Sequence, residues 1–150
     1  MNRFKRIRYI PIAAAVGVIL FLTTQNIQDN AKISEGFRAH LVQFYDALGL
    51  ESGSAWWNDR LAVRRLCHII EYGMLGFCSA IAVYDLDRKR KSFLSAVGIC
   101  LGVSIFDQVL KIFVPVRHFD VIDIGFDLIG TLIGAAVVVA MAEIVGKLRR

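Results

Sequence analysis

The stretch VRHFDVIDIGFDLIGTLIGAAVVVAMAEIVGKLRR, Val116 to Arg150, decides the fold. From Val121 to Val145 it is apolar and exceeds the ~20 residues a helix needs to cross hydrocarbon. Lys147, Arg149 and Arg150 end it. Yet Asp120, Asp123 and Asp127 stand about one helical turn apart at its start. An acid at the bilayer centre costs roughly 2.5–3.5 kcal/mol on insertion scales, and each Leu, Ile, Phe or Val returns only about 0.3–0.6. Three central aspartates would cancel most of the apolar gain. Counting back ~20 residues from Lys147 puts Asp127 at the far edge of the hydrocarbon, with Asp123 and Asp120 beyond it. The acids therefore belong to one interface. Gly130 and Gly134 continue the same helical face as a close-packing pair, so that face turns toward the bundle.

The rest of the chain fits a membrane protein. Its 150 residues are 56% hydrophobic, with mean hydropathy +0.54, too apolar for an ordinary soluble domain. Four apolar runs stand out: Tyr9–Gln25, Leu66–Tyr84, Ser92–Val114 and Val121–Val145. The expected fold is all-α, one domain over 1–150, with four transmembrane helices. The formal charge of +5 sits in clumps beside these runs. No groove-reading motif accompanies it, so no nucleic-acid partner is expected. Cys67, Cys78 and Cys100 form no CxxC or metal-ligand spacing and read as small packing residues.

The basic clumps set the topology. Arg3, Lys5, Arg6 and Arg8 precede the first run, Arg88 to Lys91 separate the second from the third, and Lys147, Arg149 and Arg150 close the chain. With four spans, all three lie on one side, and the positive-inside rule makes that side cytoplasmic. Both termini are then inside, and residues 26–65 and 115–120 outside. The first run reads as a retained anchor, because no A-x-A site follows it, with cleavage the alternative. In the outer segment, Ile33, Phe37, Leu41, Phe44 and Leu48 share one face of a helix, opposite Lys32, Glu35, Arg38, Gln43 and Asp46. Such a helix lies either on the outer leaflet or on top of the bundle. Trp56 and Trp57 suit an interfacial anchor.

Polar residues of three spans gather near that outer end. Arg65 and His68 stand at the mouth of the second span, with Glu71 and Tyr72 about one turn deeper. Asp107, Gln108 and Lys111 stand near the outer end of the third, Asp107 and Lys111 being i,i+4. Arg117 lies between the third and fourth. Expected pairings are Asp107 with Lys111 or Arg65, Arg117 with Asp120 or Asp123, and Lys111 with Asp127. Gly98 and Gly102 offer a second close helix contact.

These residues resemble the VanZ-like family. That family's pattern has Lys, His and Tyr in one span, then Asp-Glu-x-x-Gln and Pro-Gly-Arg, then an Asp, an Asn and paired glycines. RLCHIIEY supplies Arg65, His68 and Tyr72; DQVLKIFVPVR supplies Asp107, Pro115 and Arg117; HFDVIDIGFDLIGTLIG supplies Asp123, Gly130 and Gly134. Gln108 replaces the Glu, Lys111 the Gln, Val116 the Gly and Asp127 the Asn. The family takes its name from a protein associated with resistance to the glycopeptide teicoplanin. The resemblance implies a bacterial inner (cytoplasmic) membrane protein facing the cell envelope.

The expected function is recognition at the outer leaflet of an envelope lipid, a peptidoglycan precursor or a glycopeptide-type ligand. Arg65, His68, Tyr72, Asp107, Gln108, Lys111, Arg117, Asp120, Asp123 and Asp127 are its candidate residues. Two alternatives stand beside it. One is a membrane enzyme acting on an envelope lipid, with His68, Asp107 and Asp123 as acid–base candidates. The other is an accessory subunit docking a membrane protein partner or a second copy of the chain. No GxSxG, HExxH or P-loop is present. No cofactor is expected, and the acid spacing assigns no metal.

Overall fold

The computed structural model describes residues 7–25, 27–49, 60–85, 88–115 and 119–148. Among them the chain is all-helical: α1 (Ile10–Thr24), α2 (Ile27–Ala47), α3 (Arg60–Val83), α4 (Lys89–Phe113) and α5 (Val121–Leu148). Trp56, Trp57 and Arg117 lie outside the described residues, as do Arg3, Lys5 and Arg6.

Local chemistry sets the ends. Pro11 sits in the first turn of α1, where its missing N–H costs nothing. Val114 ends α4 in an extended conformation, φ −95 and ψ 123, as expected for a residue before Pro115. Asp120 starts α5: its Oδ1 accepts the Ile122 N–H at 2.9 Å.

Three helices, α3, α4 and α5, are long and apolar enough to cross a membrane. The first expected span is shorter. At 15 residues and about 1.5 Å per residue, α1 reaches only about 22 Å of a hydrocarbon core near 30 Å. It is nevertheless part of the bundle. Ile19 packs with Tyr72, Leu75 and Cys100 in the core. Arg8, just before α1, donates to the carbonyls of Ile81 and Tyr84 at the end of α3. Thr23, near the other end of α1, bonds Asp107 of α4. So α1 runs antiparallel to α3.

The interior and exterior are inverted relative to a water-soluble bundle. Beside a few large apolar residues such as Leu75, many buried positions are small or polar: Ser79, Ala80, Ala96, Ser104, Thr131 and Ala135 among them. Phe106, Phe113, Ile112, Ile129, Ile133 and Met141 point outward. Lipid-facing side chains gain nothing by turning inward, whereas small ones let helices approach.

The closest approach is between α3 and α5, which run parallel. A Cβ on Gly76 would lie 2.5 Å from the Thr131 carbonyl oxygen. One on Gly130 or Gly134 would collide with the carbonyls of Ile69 and Gly73. The second expected glycine contact is absent: Gly98 and Gly102 have open space around them and sit on the exposed side of α4. Helical spacing put them on one face, but that face points away from the neighbours.

Helix α2 matches the amphipathic segment read from sequence. Its apolar stripe is not packed on the bundle along its length, for Ile33, Phe44 and Leu48 are 51%, 60% and 58% exposed.

Candidate functional site

The polar residues of α3, α4 and α5 converge in the structure, and they are buried. Asp107, Gln108, Lys111, Asp123, Asp127, Ser104 and Tyr72 are all at most 3% exposed. Their depth follows from helix rise. Lys111 and Asp123 lie about 3 Å inside the ends of α4 and α5, while Asp107 and Asp127 lie about 9 Å inside. The charged members of α4 and α5 thus lie within about two turns of the end of the bundle where α1 finishes, with Ser104 deeper, about 14 Å inside α4.

Asp123 is its hub. One oxygen, Oδ2, receives Arg64 Nη2 at 2.5 Å, Lys111 Nζ at 3.4 Å and His68 Nε2 at 3.4 Å. Lys111 reaches back one helical turn to Asp107 Oδ2 at 3.1 Å. Asp107 also takes the Thr23 hydroxyl. On the deeper side, Asp127 Oδ1 faces His68 Nδ1 at 2.8 Å, and its Oδ2 accepts the Ser104 hydroxyl at 2.6 Å. The result is a continuous ladder from Thr23 through Asp107, Lys111, Asp123 and His68 to Asp127 and Ser104. Each buried charge meets an opposite charge or a hydroxyl, as burial demands.

The expected pairings are partly redrawn. Asp107 does pair with Lys111. Arg64, not Arg65, holds Asp123; Arg65 instead stacks over the Phe126 ring, 5.3 Å from its centroid. The two arginines are neighbours, but successive helical positions differ by about 100°, so they meet different parts of α5: Arg64 reaches Asp123 and Arg65 the Phe126 ring. Lys111 does not balance Asp127: it bridges Asp107 and Asp123, and Asp127 belongs to His68 and Ser104. Asp120 caps α5, and its own N–H donates to Gln108 Oε1 at 3.3 Å. Thr23, Arg64 and Ser104 are site members that sequence reading missed. Arg64 carried a signal, standing i,i+4 from His68; the two hydroxyls carried none.

Among the described residues three buried side-chain atoms have no hydrogen-bond partner: Tyr72 Oη and Gln108 Nε2 in this cluster, and Tyr84 Oη just beyond the far end of α3. Tyr72 approaches Ser104, whose proton is committed to Asp127. Arg64 is the exposed member, its side chain 46% accessible. It spends only Nη2 on Asp123, and among the described residues its other guanidinium donors have no hydrogen-bond acceptor. Among the described residues no three His, Cys, Asp or Glu side chains converge as a metal site.

Comparison with known proteins places this geometry in context. The family model described as VanZ/LLP1 matches residues 9–142. No curated protein matches the chain, and no solved structure does.

Proposed function

The chain belongs to the VanZ/LLP1 family, and from that premise we propose that it recognises an anionic headgroup at the outer face of a bacterial cytoplasmic membrane. The carrying observation is the Arg64–Asp123 pair: a buried carboxylate holds a guanidinium whose side chain is half-exposed. Phosphate and carboxylate are the anions that guanidinium geometry fits. A lipid-linked wall precursor or a glycopeptide-type ligand presents such groups at this depth. Arg65, one position along and with its guanidinium carbon 5.3 Å from the Phe126 ring centroid, supplies a second cation.

In this reading α1 is a fourth, short membrane helix, and the end carrying Arg8, Lys89 and Glu143 is cytoplasmic by the positive-inside rule. The buried ladder preorganises Arg64 rather than touching ligand. Acid–base catalysis by His68 is the weaker reading, because both its ring nitrogens already face carboxylates. An accessory-subunit role is favoured by one separate observation, the open glycine face of Gly98 and Gly102.

The test is susceptibility to teicoplanin and related lipoglycopeptides in a sensitive bacterial host. Strains express wild type, Arg64→Gln, Asp123→Asn or empty vector, with membrane levels matched. Protection by wild type that Arg64→Gln abolishes supports recognition through this guanidinium. Equal protection by all variants makes the cluster architectural.

A further inference from the structure

The opposite end of the bundle carries a second charged feature, which the headgroup reading does not use. There α3 ends at Val83 and α4 begins at Lys89. Arg8 donates to Ile81 and Tyr84 carbonyls, so its cation sits at the negative end of the α3 dipole. Arg88, Lys89, Arg90 and Lys91 sit at the positive end of the α4 dipole, where cations are unfavourable. No acid lies in that first turn, and Arg88 gives no side-chain cap.

Among the described residues the bases at this end outnumber the acids. Lys89 reaches Glu143 at 3.5 Å, with both side chains about half exposed. Arg88, Arg90 and Lys91 have no side-chain ion pair or hydrogen bond among the described residues. Asp85, in the preceding turn, gives its N–H to Ser92 Oγ. The described residues at this end include six bases, Arg8, Arg88, Lys89, Arg90, Lys91 and Lys147, against the two acids Asp85 and Glu143.

The bases also share a shape. Arg88 to Lys91 line a shallow concavity whose other walls are Leu94 and Ser95. Leu94 is 57% exposed and begins the lipid-facing surface of α4. A basic rim above an apolar flank matches one kind of molecule, with an anion at one end and a hydrocarbon chain at the other.

We propose that the Arg88–Lys91 concavity binds an anionic phospholipid of the adjoining leaflet, its phosphate among Arg88, Arg90 and Lys91 and an acyl chain along Leu94. The topology rule accounts for bases on this side of a membrane. Their crowding onto one helix start over an apolar flank adds mutual repulsion that a bound anionic headgroup relieves.

The experiment uses the full chain reconstituted in phosphatidylcholine bilayers. Electron paramagnetic resonance compares its association with spin-labelled phosphatidylglycerol and spin-labelled phosphatidylcholine. The expected result is a preference for the anionic lipid of roughly fivefold or more, given about one such factor per well-placed base. Arg88→Gln/Arg90→Gln/Lys91→Gln removes it, and the single change Lys91→Gln lowers it. Lys147→Gln, a base at the same end but off the concavity, leaves it unchanged. Equal losses in Lys147→Gln and the triple variant would mean diffuse charge and overturn the site. So would an unaltered preference in the triple variant. Displacement of the labelled lipid by millimolar glycerol 3-phosphate would also overturn it, since the chain contact would then contribute nothing.

Discussion

His68 Nδ1 lies 2.8 Å from Asp127 Oδ1, while its other ring nitrogen faces Asp123 Oδ2 at 3.4 Å. One imidazole thus bridges two acids a helical turn apart on α5. Satisfying both contacts takes two ring N–H groups, or one N–H and a protonated carboxyl. The bridge crosses the α3–α5 seam just above the point where Gly130 meets the Ile69 carbonyl. The polar ladder and the glycine contact therefore fix the same pair of helices.

Removing the bridge leaves Asp127 with only the Ser104 hydroxyl. His68→Ala should lower stability by about 1–3 kcal/mol, the usual cost of an orphaned buried polar group. Adding Asp127→Asn should recover part of that loss by removing the unpaired acid. Thermal unfolding in detergent of the two single variants and the double variant measures the coupling. A double variant that is the plain sum of the singles would show that His68 and Asp127 do not act as a pair.

Lys111 and Arg64 both reach Asp123, but with different exposure. The Lys111 side chain is 4% accessible and that of Arg64 46%. Lys111→Gln should cost about 3–5 kcal/mol, because it strands Asp107 without a cation in a low-dielectric site. Arg64→Gln should cost about 1 kcal/mol or less, since solvent screens its pair. Ligand-dependent protection should respond most to Arg64→Gln. The stability ranking is read from denaturation midpoints, and the reverse order would show that the Arg64 pair is the desolvated one.

The four glycines of two GxxxG pairs make opposite predictions. Gly134→Ala puts a Cβ into the Gly73 carbonyl and should destabilise by about 1–3 kcal/mol, the range for overpacking. Gly98→Ala and Gly102→Ala meet open space and should be neutral or stabilise α4 by up to about 1 kcal/mol through helix propensity. Loss of a larger assembly in Gly98→Ala, seen by cross-linking in membranes, would instead reveal a partner on that face.

How far the sequence reached follows from these same residues. Apolar run length placed α3, α4 and α5, and helical spacing placed α2. The insertion cost of aspartate put Asp123 and Asp127 near a helix end, where they are. Spacing could not distinguish Gly130/Gly134 from Gly98/Gly102, since periodicity says which residues share a face but not what stands opposite. The choice between Arg64 and Arg65 turns on the rotation of α3 about its axis. That rotation is set by the glycine contact with α5, a long-range fact. Thr23 and Ser104 were invisible because hydroxyls are common in membrane helices and carry no periodic signature. The run Tyr9–Gln25 located α1 to within one residue at each end, but its 15 helical residues are shorter than a full span needs.

Thr23 is what ties that short helix to the ladder. Its hydroxyl lies within reach of both the Ile19 carbonyl and the Asp107 carboxylate, and it is 4% exposed. The other attachment of α1 is Arg8, at the far end. Thr23→Val keeps the shape but removes the donor, leaving Asp107 with Lys111 alone. Thr23→Ser keeps the donor and loses one methyl. In membranes, α1 should then loosen at its Thr23 end in the valine variant and stay docked in the serine variant. With Cys67, Cys78 and Cys100 replaced by Ala, a disulfide-trapping pair made by Ile19→Cys and Leu75→Cys reports this, since those side chains pack in one core cluster. The Thr23→Val change should slow cross-linking severalfold, while Thr23→Ser should not. Equal cross-linking rates would mean that apolar packing alone holds α1, and that the Asp107 contact serves the charge balance of the ladder instead.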